Sequence, residues 1–206
     1  MSAGDLVLVI VDDDLDIRTS LSRALRLRGF AVETFDSAAA FLTGCEGLAI
    51  GCLILDYGMP GMNGLELQRA LLARGDAPPI LFITGHGGVP ESVQAIKGGA
   101  IDFLEKPFRQ SVLLERIASA LEIAQSQRQR SAEGRQVAER FSRLTAREME
   151  IVARMVESPA EISSKDLGRY LGISPRTVDH HRARILEQLQ VRSVAELIDL
   201  ANRREG

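Results

Sequence analysis

Two hydrophobic periods alternate through the first 124 residues. Short apolar runs, LVLVIV (6–11), AVETF (31–35), GCLIL (51–55), PILFI (79–83) and AIDFL (100–104), predict five strands, mostly buried on both faces. Between them the apolar positions recur at helical spacing. In 15–28 these are Leu15, Ile17, Leu21, Leu25 and Leu27, and segments 37–43, 64–74, 90–97 and 109–124 read similarly. Strands alternating with helices predict a doubly wound parallel sheet covered by helices, with right-handed crossovers. In such a sheet, sites lie at the carboxyl ends of the strands.

The pattern changes at residue 125. The stretch 125–143, QSQRQRSAEGRQVAERFSR, has few large apolar residues and predicts a linker, helical in part, that extends the fifth helix. Gly134 is expected to weaken it as a continuous helix. Residues 144–206 contain no strand pattern and predict four helices, at about 145–156, 163–171, 174–188 and 193–203. Thr145 with Glu148, and Ser193 with Glu196, have the spacing of capping boxes. Ser174 followed by Pro175 places a cap residue ahead of proline at the first helical position. The expected organisation is therefore 1–124, an α/β domain; 125–143, a linker; and 144–206, an all-α four-helix domain.

Charge sharpens this division. Residues 1–124 hold 16 acidic and 10 basic side chains, a net −6; residues 125–143 hold 2 and 5, a net +3; residues 144–206 hold 10 of each. The acidic half suits regulation, and the remainder can approach a polyanion. The longest strongly apolar run is six residues and ends in three aspartates, too short for a membrane span and wrongly flanked for a signal peptide. A cytoplasmic protein with no membrane partner is expected. Cys45 and Cys52 lack the spacing of a zinc or redox pair and read as free thiols, Cys52 within a buried strand. There is no Trp, which disfavours base stacking as a binding mode.

The chemistry sits at the strand ends. The first strand ends in Asp12-Asp13-Asp14, the third in Asp56, the fourth in Thr84 and the fifth in Lys106-Pro107. Converging carboxylates repel unless a cation neutralises them. Hard oxygen ligands with room for water favour Mg²⁺. A lysine and a hydroxyl beside them suit phosphoryl oxygens, and an aspartate can become an aspartyl phosphate. Taken singly, each residue has a plainer role: Asp12–Asp14 as a helix-capping cluster, Lys106-Pro107 as a turn, Phe103 as core. GHGGVP (85–90) reads as a flexible loop, because no GK[ST] follows it.

The segments VIVDDDLDIR, LILDYGMPGMNGLEL, LFITGHG and GAIDFLEKPF resemble the receiver domain of bacterial two-component response regulators over about residues 5–124. This fold is flavodoxin/CheY-like, a doubly wound five-stranded parallel sheet. The resemblance implies that Asp56 accepts a phosphoryl group from a sensor histidine kinase. It implies that Asp13, Asp56 and the backbone carbonyl of Gly58 ligate Mg²⁺, with Asp12 acting through water. Lys106, joined to Pro107 by a cis bond, would pair with phosphoryl oxygens. Thr84 and Phe103 would form the switch, moving the face of the fourth helix and fifth strand. By the same resemblance, Gly58 and His86 would occupy positions that shape water access to the phosphoryl group.

The pattern LTAREMEIV … KDLGRYLGISPRTVDHHRARILEQLQVRSVAELI resembles the LuxR-type helix-turn-helix of the FixJ/NarL class. By that resemblance the helix at 174–188 enters the major groove. Arg176, Asp179, His180 and Arg184 would lie on its exposed face, and Lys165, Ser174, Arg176, Thr177 and Arg182 near phosphates. The usual short turn after the first output helix is replaced by ESPAEI, about three residues longer, and Gly168 stands where alanine is usual. Val194, Leu197, Ile198 and Ala201 form a stripe on the last helix that serves either dimerisation or the domain's own core.

Together these resemblances imply a transcriptional regulator. Its expected partners are a kinase, promoter DNA, a second copy of the chain and, as a further candidate, RNA polymerase. It would be no enzyme beyond its own phosphoryl transfer and dephosphorylation. Two rival readings use the same residues: a phosphatase working through an aspartyl phosphate, and a phosphorelay module whose helix-turn-helix no longer binds DNA.

Overall fold

The apolar runs of the first half pair into one parallel sheet. In the computed structural model, which describes residues 6–75, 77–85, 89–159 and 163–205, the strands are β1 (Val7–Val11), β2 (Ala31–Phe35), β3 (Ile50–Asp56), β4 (Ile80–Thr84) and β5 (Asp102–Glu105). Their order is β2-β1-β3-β4-β5, so the chain reverses its winding between β1 and β3. Between and after the strands lie α1 (Leu15–Arg26), α2 (Ala38–Gly44), α3 (Gly64–Ala73), α4 (Val89–Lys97) and α5 (Gln110–Ser142).

Alternation along the strands feeds two cores. Val9, Val11, Leu53, Leu55 and Phe82 pack with Phe41, Leu67 and Ala95 from α2, α3 and α4. Leu8, Ile10, Cys52, Ile54, Leu81 and Ile83 pack with Leu25, Leu113 and Ile117 from α1 and α5. The three central strands are therefore buried on both faces, as their unbroken apolar runs require. The edge strands correct the expectation: β2 buries only Val32 and β5 only Leu104, because each has one neighbour and less helix cover. Cys52 and Cys45 are free thiols, and burial pushes the Cys52 thiol up to about 12.

The chain divides into two compact units, Met1–Gln127 and Arg128–Gly206. α5 is helical throughout 110–142, including Gly134, where a looser linker was expected. One glycine costs about 1 kcal/mol in a helix, little beside the many Ala, Gln, Glu and Arg around it. An ideal Cβ on Gly134 meets nothing within 4 Å. Gly134→Ala is therefore expected to raise the stability of this segment by roughly 0.5–1 kcal/mol, read as slower amide exchange across residues 128–140.

The second unit holds α6 (Ala146–Glu157), α7 (Ser164–Leu171), α8 (Pro175–Leu189) and α9 (Val194–Glu205). The Thr145–Glu148 capping box is complete, and Ser174 caps α8 ahead of Pro175. At α9 the box is half formed. Ser193 Oγ accepts the Glu196 N–H, but the Glu196 carboxylate accepts from Arg192 N–H at 2.7 Å. The α9 stripe packs inward: Leu197 is buried, with Val194, Ile198 and Ala201 beside it on the unit's own core. Among the described residues no helix is long and apolar enough to cross a membrane.

Candidate functional site

The carboxyl ends of β1, β3, β4 and β5 bring the expected residues together. Lys106, just past β5, donates to Asp12 Oδ2 at 2.8 Å and to Asp56 Oδ1 at 3.0 Å. Its backbone N–H donates to Thr84 O at 2.7 Å, and the Lys106–Pro107 bond is cis. Asp56 Oδ2 accepts from Gly58 N–H at 2.6 Å. Asp12 and Thr84 are almost wholly buried, while the Asp56 side chain keeps about 10% exposure. One acid is thus closed off and the other left with a narrow opening.

Burial and pairing set the electrostatics of Asp12 and Lys106. Burial holds the Asp12 carboxyl above the usual range, despite bonds from Lys106 and the Asp14 N–H. Burial alone would lower the Lys106 ammonium, but its bonds to Asp12 and Asp56 more than reverse this and raise it. One ammonium therefore faces two buried carboxylates, with Asp13 exposed beside them. This excess of negative charge and hard oxygen donors fits a divalent cation of the Mg²⁺ kind. Among the described residues no three metal-ligating side chains converge into a preformed cluster.

The plainer roles divide among neighbours. Asp14, not Asp12, caps α1, accepting from Asp16 N–H at 2.8 Å and Ile17 N–H at 3.2 Å. Phe103 is half-buried and packs against Phe82 (centroids 5.9 Å apart) and Tyr57 (6.4 Å). Tyr57, next to Asp56, had no signal in the sequence. Gly64 ends the glycine-rich segment GMPGMNG after Asp56; a Cβ there would lie 2.5 Å from the Asp56 carbonyl oxygen, so only glycine lets α3 start this close. His86 and the two glycines after it lie outside the described residues.

In the second unit, α7, a turn and α8 form the helix-turn-helix. Gly172 adopts φ +67° and Ile173 N–H donates to Gly168 O at 3.0 Å. A Cβ on Gly168 would lie 2.8 Å from the Ile173 carbonyl oxygen. The close turn, rather than helix propensity, therefore explains glycine here. Residues 160–162, most of the variant half of ESPAEI, lie outside the described residues.

The residues expected at DNA are not equivalent. Arg176, Thr177 and His180 are exposed on α8, as is Lys165 on α7. Ser174 and Thr177 share a hydroxyl contact of 2.7 Å within the α8 cap. Asp179 accepts from Ser164 Oγ, and Arg182 is half-buried and donates to the same hydroxyl at 3.4 Å. Arg184 lies on the exposed face as expected, and its Nε is 3.6 Å from the buried Glu148 Oε1 on α6. Glu148 is fully buried, and burial alone would raise its carboxyl. The Thr145 bonds and the positive charge of Arg184 and His181 outweigh this and hold it below the usual range.

Known proteins bear on this arrangement directly. A model of the response regulator receiver domain matches residues 8–118, and one of bacterial regulatory proteins of the luxR family matches 142–201. The transcriptional regulatory protein FixJ of Bradyrhizobium diazoefficiens is 40% identical over 194 residues, covering 94% of this chain and 93% of that one. The chain belongs to the two-component response regulators. Its first unit is a receiver domain and its second a LuxR-type DNA-binding domain, and its relatives are transcriptional regulators. The response regulator TmoT of Ectopseudomonas mendocina is 39% identical over 98% of this chain and 91% of its own. Among solved structures, the response regulator StyR matches with a TM-score of 0.81 at 40% identity, covering 97% of this chain and 99% of that chain. Full-length FixJ from B. japonicum matches with a TM-score of 0.58 at 39% identity over 98% of both chains.

Proposed function

We propose that this response regulator is switched by Mg²⁺-dependent phosphorylation of Asp56 by a sensor histidine kinase, and that the phosphorylated form dimerises and binds promoter DNA. The observation that carries this is the pairing of Lys106 with both Asp12 and Asp56 at the ends of three strands. An Asp56 carboxylate oxygen attacks the phosphorus, the bond to the donor's leaving group breaks, and an acyl phosphate forms. Asp13, Asp56 and the Gly58 carbonyl would hold the cation, with Asp12 acting through water. The cation would neutralise charge on the transferring group. Lys106 would then exchange its carboxylate partners for phosphoryl oxygens, with the Thr84 hydroxyl turning toward them and Phe103 following.

In the output domain, the exposed Arg176 and His180 are the better base readers. Lys165, Ser174, Thr177 and Arg182 would serve phosphates, and Asp179 and Arg184 would brace α8. The working division is 1–124, 125–143 and 144–206, in a cytoplasmic protein that meets RNA polymerase at the promoter. Asp56→Asn is expected to abolish incorporation of label from acetyl phosphate with Mg²⁺, and with it the phosphorylation-dependent gain in DNA binding. Undiminished labelling of that variant would overturn the assignment.

A further inference from the structure

Arg18 is bound to the site without touching a carboxylate. Its NH1 donates to the main-chain oxygen of Asp12 at 2.6 Å. Asp12 is thereby held on every polar atom. Its N–H donates to Phe35 O on β2 at 3.3 Å, Oδ1 accepts from Asp14 N–H at 2.9 Å, Oδ2 accepts from Lys106, and its carbonyl accepts from Arg18.

The last of these bonds closes a ring. Asp14 caps α1, Arg18 N–H donates to Asp14 O at 3.1 Å, and the Arg18 side chain returns to Asp12. The residue enclosed between the two clamped ends is Asp13, whose side chain is exposed. A free loop would present that carboxylate over a wide range of directions, and ordering it on binding a cation would cost conformational entropy. A loop fixed beforehand meets that cost during folding. Arg suits the role better than Lys, since it stays charged and keeps its planar donors in fixed directions.

We infer that Arg18 is a positioning residue for the divalent cation: it locks the Asp12–Asp14 loop so that Asp13 is presented to the metal. This rests on the receiver reading of Asp12, Asp13 and Asp56. Because Arg18 meets a carbonyl and not an acid, its loss should weaken cation binding without removing a ligand. Groups one step removed from the metal typically contribute about 10- to 100-fold in metal affinity.

The test uses the full chain as Arg18→Met, which keeps the aliphatic stem, and as Arg18→Lys. Mg²⁺ affinity is measured by calorimetry, melting in EDTA by circular dichroism, and labelling from acetyl phosphate across a Mg²⁺ series. The small donor needs no protein surface. For Arg18→Met we expect Mg²⁺ affinity to fall about 10-fold, with melting in EDTA close to wild type and the labelling rate at saturating Mg²⁺ largely restored. Arg18→Lys should fall between the two. Mg²⁺ affinity within two-fold of wild type in both variants would overturn the inference, as would a labelling defect that saturating Mg²⁺ leaves untouched. If wild type itself bound no Mg²⁺, the receiver reading would fail first, and that outcome is distinct from unchanged variants.

Discussion

Lys106→Met is expected to lower receiver stability at pH 7 in EDTA by about 3 kcal/mol, near the lower end for removing one partner of a buried ion pair. The lower end applies because the Lys106 side chain is 21% exposed and partly solvated. The cause is the pair of acids left behind: Asp12 and Asp56 are both buried, and Lys106 is the cation bonded to each. The sign of the pH dependence follows. A carboxyl raised above its ordinary value favours folding while protonated, and that contribution is lost as pH rises through the folded-state value. Asp12 is already raised in the wild-type protein, so it opposes folding at neutral pH. Without Lys106 the opposition grows, and the deficit should shrink as pH falls toward the acidic range. Adding Asp12→Asn should recover most of it at pH 7. Amide exchange on peptides from β1 and β3 reads the receiver separately from the output domain. A deficit indifferent both to pH and to Asp12→Asn would show that Lys106 supports the fold by packing and not by charge.

The output domain should answer acid in the opposite sense. Glu148 is lowered in the folded state, so its contribution is present above the ordinary carboxyl value and lost as pH falls through the folded one. Glu148→Gln is expected to cost roughly 1–3 kcal/mol at pH 7, because one change weakens the Thr145 cap and leaves Arg184 without its carboxylate. The cost should narrow on acidification. Since Arg184 and His181 lie on α8, the same variant should loosen the recognition helix and weaken DNA binding across sequences, without changing which sequence is preferred. Amide exchange in α6 and α8 at pH 7 and pH 4, with parallel binding to matched and mismatched DNA, checks both parts. Altered base preference with unchanged stability would return Arg184 to the role of a base reader.

The regular elements were legible for a simple reason. Burial on two faces forces unbroken apolar runs, and the three central strands show them. Capping is equally local: Thr145 with Glu148 and Ser174 with Pro175 act across three residues or fewer, so spacing alone reveals them. Edge strands were overestimated because their exposure depends on what lies beside them in the sheet. α5 runs through Gly134 because helix formation sums over neighbours, so one glycine does not set its length.

The same division holds at the strand ends. Sequence by itself determined that Asp12, Asp13, Asp56, Thr84 and Lys106 end or closely follow apolar strand runs, and parallel pairing then obliges those ends to meet. It also determined the helix-turn-helix, through the turn GISPRTV and its cap. Only the tertiary structure decided how the charges are shared: Asp12 closed off, Asp56 left with an opening, Lys106 bonded to both. Only it showed Arg18 returning to the Asp12 carbonyl and Arg184 turned toward a buried glutamate. These contacts join residues whose own sequence neighbourhoods look like ordinary solvated helix faces. Desolvation, which raises the Asp12 carboxyl, is a property of the packed surroundings and leaves no mark on spacing.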